Sequence, residues 1–83
     1  MKLLYFAWLR TRIGIAEESV ALPAGVTTVA ALLHWLKGRG PGFAAALKDT
    51  RIVRVAVNQR YVAGDHPVKA GDEVALFPPV TGG

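Results

Sequence analysis

Apolar residues recur along this chain with two different periods, and each change of period marks the boundary of an element. Lys2 to Arg10 carries apolar side chains on both alternating faces, with Leu3, Tyr5, Ala7 and Leu9 on one and Leu4, Phe6 and Trp8 on the other. That pattern predicts a strand in the middle of a sheet. Ile13-Gly14-Ile15 reads as a turn. Ser19 to Leu22 reads as a second strand with Val20 and Leu22 on the same side, closed by Pro23-Ala24-Gly25. The two strands are expected to form a hairpin. Thr27 or Thr28 is placed to cap a helix, and Val29, Leu32, Leu33 and Leu36 follow with the i, i+3, i+4, i+7 spacing of a single buried stripe. Gly38 and Gly40-Pro41 end that helix, and Phe43 to Leu47 has room for one more helical turn. Arg51 to Val57 returns to strict alternation, setting Val53, Val55 and Val57 against Arg54 and Ala56, which predicts a third strand. Asn58-Gln59-Arg60 then turns the chain into a short Tyr61-Val62 strand. Gly64-Asp65 and Gly71-Asp72 mark turns, and Glu73 to Phe77 forms the last strand with Val74 and Leu76 inward.

The order ββαβ(β)β predicts an α+β domain, and the ubiquitin-like β-grasp fold has this order: a mixed four- to five-stranded sheet with one main helix on one face. In that arrangement the first and last strands are neighbours and the second face of the sheet is bare. Parity then assigns Phe6, Trp8, Arg10, Ala75 and Phe77 to the bare face. Several aromatics exposed together make an apolar patch, and such patches mark docking surfaces.

With 83 residues the chain has room for one domain, expected over residues 1–78, followed by an extended tail over residues 79–83. Hydrophobic residues make up 52% and charged residues 19%, which argues against disorder. There is no cysteine, so this chain offers no disulfide, thiolate nucleophile or persulfide, and any sulfur it carries must sit elsewhere. Met1-Lys2 and the apolar run that follows look briefly like a signal peptide. Arg10 and Arg12 end that run and no small-residue cleavage site follows, so a cytoplasmic location is expected. No apolar stretch approaches the roughly 20 residues of a membrane helix, and no membrane association is expected. The formal charge of +4 raises the question of nucleic acid, but the ten basic residues are dispersed and no nucleic-acid partner is expected. His34 falls outward on the helix and His66 lies in a turn, so neither has a second metal ligand at useful spacing. No metal site is expected. Phosphate-loop, nucleophile-elbow and dinucleotide patterns are absent too, so the chain reads as a substrate of enzymes and not as a catalyst on its own.

The remaining chemistry lies in Pro78-Pro79-Val80-Thr81-Gly82-Gly83. An α-carboxylate, with a pKa of roughly 3.3 to 3.7, is ionised at neutral pH and needs activation, most simply by a nucleotide, before it can take part in acyl transfer. Two glycines without Cβ atoms can pass through a channel too narrow for side chains, and two prolines hold the segment extended and away from the body.

Several segments together resemble the small-subunit family of molybdopterin synthase. They are Val57-Asn58-Gln59-Arg60-Tyr61-Val62, Asp65, Gly71-Asp72-Glu73-Val74-Ala75-Leu76-Phe77 with the Pro-Pro-Val-Thr-Gly-Gly ending, Leu4-Tyr5-Phe6-Ala7-Trp8-Leu9-Arg10, and the Thr28-Val29 helix opening. The resemblance implies a β-grasp sulfur carrier with Gly83 as the carrier residue. Gly83 would be adenylated by an E1-like adenylyltransferase using ATP, converted to a thiocarboxylate, and inserted into the large synthase subunit to supply sulfur to a pyranopterin precursor. It further implies that Phe6, Tyr61 and Phe77 meet the partners; Arg10, on the face that parity assigns, and Pro78 and Pro79 at the start of the tail are expected to meet them too, and Thr81 and Gly82 to thread the partner's channel. No bound cofactor is implied, and the implied assembly is a heterotetramer of two small and two large subunits. An isoelectric point near 10.0 departs from what that family leads one to expect. Three other readings stay open: a thiamine-pathway sulfur carrier, which is generally shorter and lacks Pro-Pro-Val; a ubiquitin-like modifier, whose activated glycine is attacked by a lysine; and a β-grasp RNA-binding or regulatory module.

Overall fold

The computed structural model describes residues 1–79; the expectations for Val80, Thr81, Gly82 and Gly83 fall outside the described residues. Five strands and three helices follow in the order β1 (Lys2–Tyr5), α1 (Ala7–Ile13), β2 (Glu17–Ser19), α2 (Val29–Lys37), α3 (Pro41–Ala46), β3 (Arg54–Val57), β4 (Arg60–Val62) and β5 (Glu73–Phe77). One sheet contains all five strands in the order β2-β1-β5-β3-β4, with β1 and β5 parallel and the other pairs antiparallel. The first and last strands are therefore adjacent at the centre, as the β-grasp order predicts.

The first strand is shorter than its apolar run. β1 stops at Tyr5, and the residues expected to continue it form α1. An unbroken apolar run fits a buried strand and a buried helix equally well, and here one run supplies both. Leu9 is fully buried, while Trp8 and Ile13 pack partly against the core. Gly14 closes α1 at φ 97°, a left-handed conformation suited to glycine, with its N–H donating to the Arg10 carbonyl at 2.8 Å. The strand expected at Ser19 to Leu22 lies instead at Glu17–Ser19, and Val20 and Leu22 follow it, half-buried against the core. β1 and β2 are antiparallel neighbours as expected, but α1 joins them in place of a hairpin turn.

The central helix matches its pattern. Thr28 caps α2, its hydroxyl accepting from the Ala31 N–H at 3.2 Å, and Val29, Leu32, Leu33 and Leu36 are buried. The short helix after Gly40 begins at Pro41, one of the few helical positions where a missing N–H does no harm. The third strand begins at Arg54 because residues 50–52 form a 3-10 turn, capped by Asp49 accepting from the Arg51 N–H at 3.1 Å. Asn58 and Gln59, at φ 50° and 71°, make the two-residue connection from Val57 to Arg60, whose backbone twist suits a tight hairpin.

Leu3 and Tyr5 of β1, Val55 and Val57 of β3 and Val74 and Leu76 of β5 point to the helix side, where they meet α2, Leu9 and Leu47. Each such apolar side chain contributes about 1.5–3 kcal/mol on burial. Two polar groups are held inside this frame. The Tyr5 hydroxyl donates to Glu18 Oε2 at 2.6 Å, and Arg39 donates to the same oxygen at 2.7 Å while stacking over Trp35 and Phe43. Asp72, 4% exposed, accepts from the Asn58 amide at 3.1 Å and the Lys69 N–H at 2.9 Å. Among the described residues no helix is long and apolar enough to cross a membrane, and no His, Cys, Asp and Glu side chains gather into a metal-binding group.

Candidate functional site

Alternation in β5 sends Leu76 into the core and Phe77 to the opposite face, where no helix packs among the described residues. The same parity in β1 puts Leu4 on that face. Phe6 follows it there because its N–H still donates to the Leu76 carbonyl, at 3.2 Å, before the chain turns into α1. Phe6 and Phe77 stack with ring centroids 4.5 Å apart and planes 7° from parallel. From the other side Tyr61 tilts onto Phe77 at 5.8 Å, and the Arg54 guanidinium lies 4.7 Å from the Tyr61 ring centre. The register explains this set. Arg54 is the direct cross-strand partner of Phe77, Ala56 that of Ala75 and Tyr61 that of Ala56, so all five share one face. Ala56 and Ala75 are small enough to form a buried floor beneath the row.

The result is an aromatic row, Phe6-Phe77-Tyr61, crossing the bare face. Phe6 is 41% and Tyr61 59% exposed, well above the usual exposure of large rings in a domain of this size. Pro78 and Pro79 continue directly from Phe77, so the row lies beside the point where the chain leaves the sheet. Aromatic rings near the edge of such a patch supply large contact area with few rotatable bonds, which suits a docking surface.

Four of the expected partner-contact residues therefore come together with the row: Phe6, Tyr61, Phe77 and the adjoining Pro78, with Pro79 next along the chain. Arg10 does not join them. It sits a turn into α1, exposed, with no ion pair or ring contact among the described residues. Trp8, also expected on the bare face, is carried by α1 to the flank of the core. Both displacements have one cause, the end of β1 at Tyr5. Arg54, which lies over Tyr61 at the end of the row, is absent from the expected contact set, although its place in the alternation against Val53 and Val55 puts it on the bare face.

The sequence profile of the ThiS family matches residues 3–83. The chain belongs to the ThiS family. ThiS-family relatives similar to it include the molybdopterin synthase sulfur carrier subunit of Escherichia coli strain K12. That protein is 45% identical over 83 residues, a span of 100% of this chain and 99% of the relative. Among solved structures, a Pyrococcus furiosus chain assigned as molybdopterin converting factor subunit 1 superposes with a TM-score of 0.76 at 37% identity, over 95% of each chain. The small archaeal modifier protein 1 of Haloferax volcanii does so with a TM-score of 0.72 at 31% identity, over 96% of this chain and 97% of that one. These likenesses establish the β-grasp fold of this ThiS-family chain, and the strand order and the parallel β1–β5 pair agree with them.

Proposed function

We propose that this chain is the sulfur carrier subunit of a molybdopterin synthase. The observation that carries the reading is the Phe6-Phe77-Tyr61 row at the root of the C-terminal segment, in a chain 45% identical to a carrier subunit of that name. In this reading the row docks the domain on the large synthase subunit, and the extended segment after Pro79 reaches the partner's active site. The chemistry takes place at Gly83. Its carboxylate oxygen attacks the α-phosphorus of ATP on an E1-like enzyme, releasing pyrophosphate and leaving an acyl adenylate. A hydrosulfide-level donor sulfur then attacks the acyl carbon, AMP leaves, and loss of the proton on sulfur gives the thiocarboxylate. On the large subunit that sulfur attacks a carbon of the pyranopterin precursor and displaces an oxygen substituent from it. Water attacking the acyl carbon of the resulting thioester then returns the Gly83 carboxylate and leaves the sulfur on the precursor as a thiolate. Thr81 and Gly82 pass through the partner's channel, and two copies of each subunit form the working heterotetramer.

Intact mass spectrometry after incubation with the activating enzyme, ATP and a sulfur donor tests the reading. The expected product is heavier by the difference between one sulfur and one oxygen atom, and an unchanged mass under conditions that convert a known carrier overturns it. A second reading, a modifier joined to lysines of other proteins, is favoured by the likeness to the small archaeal modifier protein. It predicts isopeptide adducts of Gly83 in cells, which a dedicated carrier does not form.

A further inference from the structure

A second surface lies apart from the aromatic row. α1, the end of α3 and the 3-10 turn at residues 50–52 enclose an open groove of about 640 Å³. Its walls carry Trp8 and Arg12 from α1, then Lys48, Asp49, Arg51 and Ile52. Arg12 lies over the Trp8 ring at 4.6 Å from its centre, which leaves its charge exposed at the groove while its stem is held. Arg51 is paired in a fork with Asp49, at 3.0 and 3.1 Å, but its side chain remains 88% exposed. Three cations thus face one carboxylate, so the groove has an excess of positive charge. Ile52, 42% exposed, adds an apolar step at its edge.

The position of the groove follows from topology. β1 and β5 run parallel, so α1, which follows β1, starts at the end of the sheet where β5 finishes at Phe77. The 3-10 turn precedes β3, whose first residue Arg54 pairs with Phe77. The groove therefore opens at the end from which the chain departs, on a flank not occupied by Phe6, Tyr61 or Phe77.

We infer that this groove binds an acidic segment of a partner protein, one that places an apolar side chain among its carboxylates. Its shape argues for a polypeptide: an open trough with exposed cations on its rim lacks the enclosure that holds a small anion. The chemistry of its walls argues against nucleic acid. The Trp8 ring is half-buried and already carries Arg12 on its face, so it offers no free platform for a base, and Ile52 suits a peptide side chain better than a phosphate. Separated cations around a trough steer an oppositely charged segment and set its register, which is the usual contribution of rim charges. The inference does not depend on the chemistry proposed for Gly83.

The test uses the isotope-labelled full chain, titrated with a synthetic peptide of Asp and Glu bearing a single Leu. Control titrations use the same peptide with Lys in place of the acids, and a single-stranded RNA oligonucleotide. The expected result is saturable shifts of the Trp8 indole N–H and of amides in the 45–52 segment, weakened by salt and absent with the basic peptide. Arg12→Glu with Lys48→Glu should lower the affinity roughly tenfold or more with spectral dispersion retained. Should Arg12→Glu disturb α1 through its contact with Trp8, Lys48→Glu with Arg51→Glu is read in its place, since both of those side chains are exposed. Shifts centred on Phe6, Tyr61 and Phe77, an affinity unchanged by charge reversal, or tighter binding of the RNA at the same residues would each overturn the inference.

Discussion

The Phe6 ring lies almost flat on the Phe77 ring, 4.5 Å between centroids and 7° between planes, although the two residues stand at opposite ends of the chain. The contact exists because β1 and β5 are parallel neighbours and the ladder extends one residue past β1 through the Phe6 N–H. It joins the segment before α1 to the last residues of β5, so the aromatic face and the point where the chain leaves the sheet are built as one unit.

If that face docks a partner, a charge at its centre should harm binding more than folding. Phe77 is only half-buried and contributes nothing to the helix-side core. Phe77→Asp is expected to weaken association with the large subunit by about 2 kcal/mol or more, roughly thirtyfold, with the circular dichroism spectrum retained. Unfolding of the variant would mean that Phe77 supports the core and that the face is assigned wrongly.

Ala7, directly after Phe6, has φ 54°, a left-handed conformation that is unfavourable for any residue with a Cβ. Ala7→Gly is expected to raise stability by about 0.5–1 kcal/mol, because the strain relieved exceeds the added chain entropy. Ala7→Val should lower it by about 1–2 kcal/mol, since a β-branched residue fits this region worst. Denaturant midpoints measure both, and equal stability of the three proteins would show that this turn carries no strain.

α3 packs on α1 closely enough that a Cβ added at Gly42 would lie 2.6 Å from the Arg12 carbonyl oxygen. The obstruction is backbone, so neither helix can yield without shifting the other. Gly42→Ala is expected to lower stability by about 1–3 kcal/mol, as in other overpacked contacts, despite alanine's higher helix propensity. A gain in thermal melting temperature would show the helices to be farther apart than described.

Two carboxyl groups link stability to pH. At Asp72 burial pushes the pKa up, but the Lys69 N–H and the Asn58 amide outweigh it and leave the group below its ordinary value. At Glu18 burial is likewise outweighed, by hydrogen bonds from Arg39 and Tyr5. A carboxyl depressed in the folded state contributes stability that is complete above its unfolded pKa of about 4 and is lost as pH falls through the folded value. Melting temperature should therefore hold steady from neutral pH to about pH 5 and fall below about pH 4. The double variant Glu18→Gln, Asp72→Asn should start lower at neutral pH and fall less in acid. An equally steep fall would assign the acid sensitivity to other groups. Burial and the Glu18 bond also raise the Tyr5 phenol far above its ordinary value, so alkaline destabilisation should begin only above about pH 10.

Alternation and spacing carried most of this fold. The Val29, Leu32, Leu33, Leu36 stripe predicts α2, and the alternation of Val53, Val55 and Val57 predicts the third strand apart from its first residues, which Asp49 caps into a turn. Phe77 on the bare face follows from parity alone. Phe6 reaches that face for a different reason than parity along a long strand, because the strand ends one residue before it. α1 escaped the alternation reading since Leu3 to Leu9 is apolar throughout. The signals that mark it are the helical spacing of Leu9 with Ile13 and of Trp8 with Arg12, closed by Gly14. Tyr61 joins the row through the two-residue turn at Asn58-Gln59, whose register a three-residue strand cannot reveal.

In the carrier reading Gly82 and Gly83 act through covalent chemistry and sterics together. Deleting Gly83 moves the terminal carboxylate back by roughly 3.5 Å along an extended segment, and catalysis can lose about 10²-fold from a 1 Å misplacement. Sulfur transfer should be almost abolished. Replacing Gly82 with Trp should block passage through a channel fitted to a chain without side chains, yet leave the melting temperature nearly unchanged, because the described core is complete by Leu76. A C-terminal tag should abolish transfer for a simpler reason: the Gly83 carbonyl is then an amide and offers no carboxylate to adenylate. The measurement is molybdopterin formation with purified large subunit, activating enzyme, ATP and sulfur donor, with the tag confirmed intact by mass. Full product formation by the tagged protein would end the carrier reading, whereas loss in the Phe77→Asp variant with thiocarboxylate formation retained would locate that defect in docking alone.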